Sequence, residues 1–467
     1  MTLHRAQIPD MPSQRQQEQQ TAVNATEIPA TSVKPWKLPA QTTYVFKNAS
    51  IVDTANGTII EKQTVTLSEG LVESIVDDEA VPTSTPHVVV DLMGKYLCPG
   101  LIDCHVHLSA VAGSDNLPAV FGLDPTVSQF RQPFLCKQML ARGFTTVRDT
   151  GGATLALKEA IDDDVFAGPR LFISNKALSQ TGGHGDARGP HQGHGHCCGA
   201  ETVLTKVMDG VPACLRVTRE QMRTGADFIK IMVGGGVASP TDKLENTQFT
   251  TDEIRAICEV ADSYGTYVTA HAYTPKAIRH AVDNGVRCIE HGNLMDEHTA
   301  RYMAERGVWL VPTLATYHAL SEEKYSAFLP AVNRAKNGEV LARGLESLRI
   351  ASAAGVRICY GSDLLGPLHE EQNREFSIRS QVMSSPEVLR SATVTAAKLL
   401  KQDAFLGQIK KGFAADLLVL NANPLEDVSL LARPEENVLA VMKNGRVYTS
   451  RWTKLPEDVS TPTAPIE

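Results

Sequence analysis

The chain has 467 residues and a net charge of −8, from 45 Lys and Arg against 53 Asp and Glu, with 42% hydrophobic and 6% aromatic residues. That length buries a large core and has room for one big domain and a smaller one. A mildly acidic chain without a clustered basic run speaks against nucleic acid and anionic membranes as partners, and no stretch approaches the ~18 uninterrupted apolar residues of a membrane span.

Residues 1–42 are rich in Gln, Pro, Ser and Thr and show no apolar period, which predicts a disordered N-terminal arm. The start has no apolar h-region of a secretory signal, so a cytoplasmic protein is expected, with its nine cysteines reduced and mostly buried. Short alternating stretches at 44–46, 50–53, 64–67 and 87–92 read as antiparallel strands. A matching block at 415–420 and 439–442 precedes Asn444-Gly445, a tight-turn signal. The flanks 43–98 and 407–450 are therefore expected to join as one small β-sandwich, with 99–406 inserted between its halves and 451–467 as a tail.

The insert alternates apolar runs with helix-like segments such as 251–257, whose Thr-Asp-Glu start supplies a cap and first-turn acids. The runs are 101–105, 145–148, 171–174, 228–231, 267–271, 288–291, 309–313 and 357–363. Eight buried strands alternating with helices predict an α/β fold, a (β/α)8 TIM-like barrel, which takes roughly 250 residues before insertions. The surplus falls mainly in the loops after strands one and three.

Barrel active sites gather at the C-terminal ends of strands. There the sequence places His105 and His107 after strand one, His271 at strand five, His291 at strand six and Asp363 at strand eight, with Lys230 in strand four. Residues i and i+2 of a strand face one way, so His105 and His107 can bind one ion. Any one of these histidines is more often a hydrogen-bonded core residue. Five such ligands at one rim reverse that balance, and imidazole with carboxylate suits Zn²⁺. Lys230 reads either as a buried lysine paired with an acid or as an amine that, neutralised by burial, adds carbon dioxide and becomes a bridging carbamate.

The segment 99–107, PGLIDCHVH, resembles the PGLID-x-HxH opening of the amidohydrolase superfamily, and 412–417, GFAADL, resembles its closing element. The segments 181–185, 230–236 and 270–274 are similar to the Xaa-Pro-dipeptidase-like (prolidase-like) branch, which includes fungal ochratoxinase. The resemblance implies two divalent metals, zinc by preference. His105, His107 and Asp363 would hold one and His271 and His291 the other, with N6-carboxylated Lys230 bridging. It implies a hydroxide between the metals as nucleophile and Asp363 as proton shuttle. Its substrate would be a small amide or dipeptide, and its assembly a homo-oligomer.

Around this core, Tyr273 either hydrogen-bonds substrate or packs at the rim, and His184 could polarise the amide or anchor a carboxylate. Arg188 could pair with a substrate carboxylate or simply be solvated. The Gly- and His-rich loop 184–198 reads as a flexible lid rather than a third metal site. Two functions compete: hydrolysis of an N-acyl amino acid, a dipeptide or an aromatic amide such as ochratoxin A, and cyclic-amide or imidazolone hydrolysis or deamination on the same fold. A bridging lysine favours the first. A non-catalytic scaffold would have lost at least one ligand position, and none is replaced here.

Overall fold

The computed structural model describes residues 33–77, 87–192 and 201–459. The expected disordered arm lies outside the described residues as far as residue 32, and so do residues 460–467 of the tail. The chain divides after Lys37, and every element below belongs to the unit from Leu38 onward.

The flanks build one eight-stranded sheet. Strand β1 (Thr43–Asp53) pairs antiparallel with β2 (Thr58–Ser68), which pairs with β3 (Leu71–Asp77). The two stretches expected at 44–46 and 50–53 are this single strand, carried past a bulge where Asn48 takes a left-handed φ of 51°. The first half of β1 pairs with β4 (His87–Asp91) and the second with β5 (Tyr96–Pro99). From β5 the sheet crosses to the C-terminal flank, β16 (Leu417–Leu420), β17 (Val438–Lys443) and β18 (Arg446–Ser450). Asn444 and Gly445 turn β17 into β18 with φ of 47° and 73°, as a two-residue hairpin turn requires. Val72 N donates to Phe413 O and Ala415 N to Gly70 O, so the β3 edge returns to the segment that leads into β16. The sheet thus wraps, sandwich-like, around Phe46, Ile51, Val65, Leu97, Leu417, Val419 and Met442.

The barrel begins where β5 passes through Gly100 into β6 (Leu101–Val106). It continues through β7 (Phe144–Asp149) and β8 (Arg170–Ile173), the latter extended past Asn175 by β9 (Ala177–Ser179). Then come β11 (Ile229–Met232), β12 (Val268–Ala272), β13 (Cys288–His291), β14 (Trp309–Val311) and β15 (Arg357–Ile358), while the short β10 (Thr205–Val207) pairs only with β9. Their ladders are parallel. Asp227 N to Ile173 O (2.7 Å) joins the third strand to the fourth, and Cys104 N to Tyr360 O and Asp363 N to His105 O (both 2.8 Å) join the eighth to the first. The ring of eight is a TIM-like barrel inserted in the sandwich.

Local details depart from expectation for physical reasons. The eighth strand keeps ladder geometry only at Arg357–Ile358, because the chain beyond bends to bond strand one. The cap of helix Thr251–Ser263 is Thr250, whose side chain and that of Glu253 form a reciprocal capping box. The chain after β14 also carries surplus length, including the 23-residue helix Ala331–Ala353. Among the described cysteines, Cys98, Cys104, Cys136, Cys214, Cys258, Cys288 and Cys359 are free and buried. Among the described residues no helix is long and apolar enough to cross a membrane.

Gly100 sits at the hinge between sandwich and barrel, where a Cβ would stand 2.1 Å from Thr145 Oγ1 and 2.7 Å from its Cγ2. Thr145 is buried and has nowhere to retreat. Gly100→Ala should therefore destabilise the fold by about 1–3 kcal/mol, read by urea unfolding of the metal-free protein.

Candidate metal centre

The mouth of the barrel gathers side chains from five strands. His105, His107, His271, His291 and Lys230 are all buried, and the Asp363 side chain keeps 19% exposure. Asp363 Oδ1 lies 3.2 Å from His105 Nε2 and 3.1 Å from His107 Nε2, with Oδ2 3.9 Å from His291 Nδ1. Ring centroids are 5.0 Å apart for His105 and His291 and 4.5 Å for His271 and His291. His105, His291 and Asp363 present ligand atoms within 4.8 Å of one another. This trio draws one histidine from each of the two expected ion sites, rather than reproducing His105, His107 and Asp363 as a group.

Each imidazole spends one nitrogen on the protein. His105 Nδ1 donates to Glu290 Oε2 at 2.7 Å, His107 Nδ1 to Gly151 O at 2.9 Å, and His271 Nε2 to Gly235 O at 3.1 Å, while His291 Nδ1 is paired with Thr313 Oγ1 at 2.7 Å. A carboxylate or carbonyl only accepts, so the nitrogens that face Glu290, Gly151 and Gly235 carry the proton. Metal-ligating histidines are held in this way. Nitrogen and carboxylate donors oriented so fit a borderline divalent cation.

Glu290 is the acid beneath this array. Besides His105 it binds Arg148 Nη2 at 2.5 Å and accepts from the Thr269 hydroxyl, and both Glu290 and Arg148 have no solvent exposure. Burial alone would push its carboxyl up, but Arg148 and His105 hold it well below the usual carboxylate range. Burial pulls the Lys230 amine down to about 8 against the opposing charges of Glu290 and Asp363. Its expected acid partner is absent as a direct contact: among the described residues Lys230 has no ion pair, and Glu290 and Asp363 act on it through charge alone.

Two of the expected ligands have backbones in the left-handed region, His291 with φ 75° and Asp363 with φ 54°. Such strain in non-glycine residues collects at functional sites. At His291 its use is visible. Strand alternation that turns Glu290 toward His105 would send His291 to the other face, yet its ring lies with His105 and His271.

A cavity of about 50 Å³ adjoins the ligands, lined by His184, His271, Tyr273, Tyr317 and Asp363 and walled by Leu117, Val237, Phe328, Leu329 and Leu368. A wider cavity of about 640 Å³ shares Leu117 and Ala238 with it. Tyr273 is buried with its ring edge on His271 and its hydroxyl 2.7 Å from that of Tyr317, which lies 3.2 Å from His291 Nδ1. His184 stacks on His271 at 4.1 Å, and burial pulls its imidazole down to about 4. Arg188 lines the wider cavity, held in a double hydrogen bond by Asp186. His194, His196, Cys197 and Cys198 of the expected lid lie outside the described residues.

Sequence reasoning passed over Glu290, Arg148, Tyr317 and the buried pair Asp103 and Asp149, whose carboxylates receive His105 N and Leu108 N. Glu290 carried a signal, since it lies two residues after inward-facing Cys288. Tyr317 sits in a helix whose placement the pattern does not specify.

A family model described as "Amidohydrolase family" matches residues 96–448. A solved prolidase, complexed with N-methylphosphonate-L-proline, is 42% identical with a TM-score of 0.84, covering 88% of this chain and 100% of its own. A Xaa-Pro dipeptidase with methionine bound in the active site is 29% identical with a TM-score of 0.78, covering 87% and 100%. The ochratoxinase of Aspergillus niger is 28% identical over 439 residues, 88% of this chain and 87% of that one.

The Glu290 contacts generate a measurable expectation. Glu290→Gln replaces the charged acceptor of His105 Nδ1 with a neutral amide, so affinity for zinc should fall roughly 10- to 100-fold in competition with a chelator. Unchanged affinity would contradict the role.

Proposed function

The chain belongs to the amidohydrolase family and is a hydrolase of amide or peptide bonds; from that premise we propose that it is a binuclear metal enzyme cleaving a dipeptide or an N-acyl amino acid. The observation that carries this is the Asp363 carboxylate with its two oxygens among His105, His107 and His291, with His105 and His107 held at their far nitrogens by Glu290 and Gly151 O. The likeness to a prolidase, a Xaa-Pro dipeptidase and an ochratoxinase supports the substrate class.

His105, His107 and Asp363 would hold one divalent ion and His271 and His291 the other, with carboxylated Lys230 between them. Bound there, the ions, zinc by the donor set, supply a water acidified to near neutral pH and a Lewis acid for the scissile carbonyl. The chain's own residues do the rest. Burial keeps a fraction of Lys230 neutral at physiological pH, the form whose lone pair adds to carbon dioxide with loss of one proton. Asp363 takes the proton of the attacking water and delivers it to the leaving amine. The apolar walls of the inner cavity, Val237, Phe328 and Leu368 among them, exclude bulk water from the collapsing intermediate.

Metal-replete protein assayed against Xaa-Pro dipeptides, N-acyl amino acids and ochratoxin A should release a free C-terminal amino acid. Ammonia release or ring opening of a cyclic amide as the sole activity would favour the competing function. Chelation should abolish turnover and added zinc restore it.

Asp363→Asn should retain most of the bound metal, counted by elemental analysis, while kcat falls about 10²- to 10⁴-fold. Near-normal turnover would remove Asp363 as the proton carrier. Native mass spectrometry of the active protein should find one carbon dioxide adduct per chain, lost in Lys230→Ala; active protein lacking it would rule out the bridging carbamate.

A further inference from the structure

A third cavity lies apart from the metal mouth and contains a cation without a matching acid. It holds about 600 Å³ between helix Pro125–Ala141 and the short helical segment Gly366–Glu371, and it shares no lining residue with the two cavities beside the ligands. That volume falls within the roughly 300–1,000 Å³ of small-molecule sites. Ala112, Phe134, Leu135 and Pro367 give it apolar walls, and Arg131 and Arg142 bring two positive charges.

Arg142 is built as an anion anchor. Its Nε and Nη2 both donate to Gln372 Oε1, at 3.1 and 3.0 Å, which leaves Nη1 with no hydrogen-bond partner among the described residues. Burial pulls the guanidinium down to about 10, and Asp103 and Glu370 oppose this through charge alone. The group that clamps it is itself held. Gln372 is fully buried and its Nε2 donates to Asp103 Oδ2 at 3.0 Å, while Asp103 also receives His105 N at 3.0 Å and Ser362 N and Oγ at 3.2 and 2.6 Å. With four donors already on it, Asp103 serves to fix Gln372 rather than to neutralise Arg142. The guanidinium is thus oriented before any ligand arrives, which lowers the cost of binding one.

Glu370, the one acid among the lining residues, is 65% exposed and accepts from Tyr325 Oη at 2.5 Å and Lys324 Nζ at 3.3 Å. Its charge is spent on those partners and screened by water. Arg131 precedes Arg142 by three helical turns, on the same face and about 16 Å away, and donates to Ala112 O at 3.1 Å. It adds positive field rather than a second contact. Arg142 also borders a more polar cavity of about 510 Å³, where Glu371 and Glu435 match Arg374 and Arg451 in number. Apolar walls and an excess of positive charge coincide only in the first.

We propose that this cavity binds a small monocarboxylate with an apolar body, its carboxylate on Arg142 Nη1 and its body against Phe134, Leu135 and Pro367. The site is independent of whatever the metal centre cleaves.

Metal-replete protein is titrated with 3-(4-fluorophenyl)propionate and with the corresponding propanol, which keeps the apolar body and loses the charge, and binding is followed by fluorine NMR. The acid should bind with a Kd of about 0.1–1 mM and the alcohol about 10- to 100-fold more weakly. Carboxylates also bind metal, so the titration is repeated after chelation, and binding in the cavity should persist. Arg142→Met should weaken that persistent binding about 10- to 100-fold. Should this variant not fold, Phe134→Glu changes only an exposed ring, puts a second carboxylate into the cavity, and should weaken the acid more than the alcohol. Binding that chelation abolishes, equal affinity for acid and alcohol, or unchanged affinity in both variants overturns the proposal. So does a wild type that takes no probe while Phe134→Glu alters its size in sedimentation, since that face then belongs to a second copy of the chain.

Discussion

Glu290 keeps a negative charge inside the barrel with no exposure to solvent, and it does so by binding Arg148 at 2.5 Å, His105 at 2.7 Å and the Thr269 hydroxyl. These partners come from strands β7, β6 and β12, while Glu290 itself belongs to β13. One carboxylate therefore crosses the barrel interior and fixes the rotation of a ligand at its mouth. Arg148 Nε also donates to Cys104 O at 2.6 Å, which ties the cation to the strand that carries the ligand. A buried ion pair adds little net stability when compared with well-packed apolar residues, yet removing one partner leaves an uncompensated charge at a cost of about 3–5 kcal/mol. The network is better understood as setting geometry than as holding the fold together.

The same mouth pulls its imidazoles in opposite directions. Burial lowers His271 and His291 far below the usual range, whereas at His107 the hydrogen bond and charge of Asp363 outweigh burial and push it up. A rim in which one histidine is driven toward its cation while its neighbours are driven toward neutrality is electrostatically uneven. Divalent cations held there would even it out, because they bind only the neutral form of each ring. The left-handed backbones of His291 and Asp363 fit this account, since strain in non-glycine residues collects at functional sites.

The positions proposed to hold metal were legible as a cluster because barrel geometry sends the end of each strand to one rim, and His105, His107, His271, His291 and Asp363 all stand at such ends. Asn444-Gly445 was legible for the same kind of reason, a backbone demand met by few residue types. What escaped depends on contacts far apart in sequence. Glu290 and Arg148 looked like ordinary members of buried strands until their 142-residue separation closed to one hydrogen bond. Ser239, whose hydroxyl lies 2.9 Å from His184 Nδ1, comes from a loop with no periodicity, and Tyr317 from a helix whose placement the pattern does not specify. The Thr250 cap was missed by one residue, because Thr250 and Thr251 are chemically alike and only the Glu253 side chain distinguishes them.

The two cavities suggest how size and polarity divide the work of recognition. The inner one, about 50 Å³, has room for a few heavy atoms beside the ligands. Beside His184, His271 and Asp363 its walls are Leu, Val and Phe with two tyrosine hydroxyls bonded to each other, so the part of a substrate turned from the carboxylate gains from burying apolar surface. The wider cavity of about 640 Å³ adjoins it, with described walls that reach Gln192 and Glu201 on either side of residues 193–200. There Arg188 is already matched by Asp186, and a substrate carboxylate would have to displace a bidentate partner two residues away. That competition makes Arg188 a weak anchor for a substrate carboxylate.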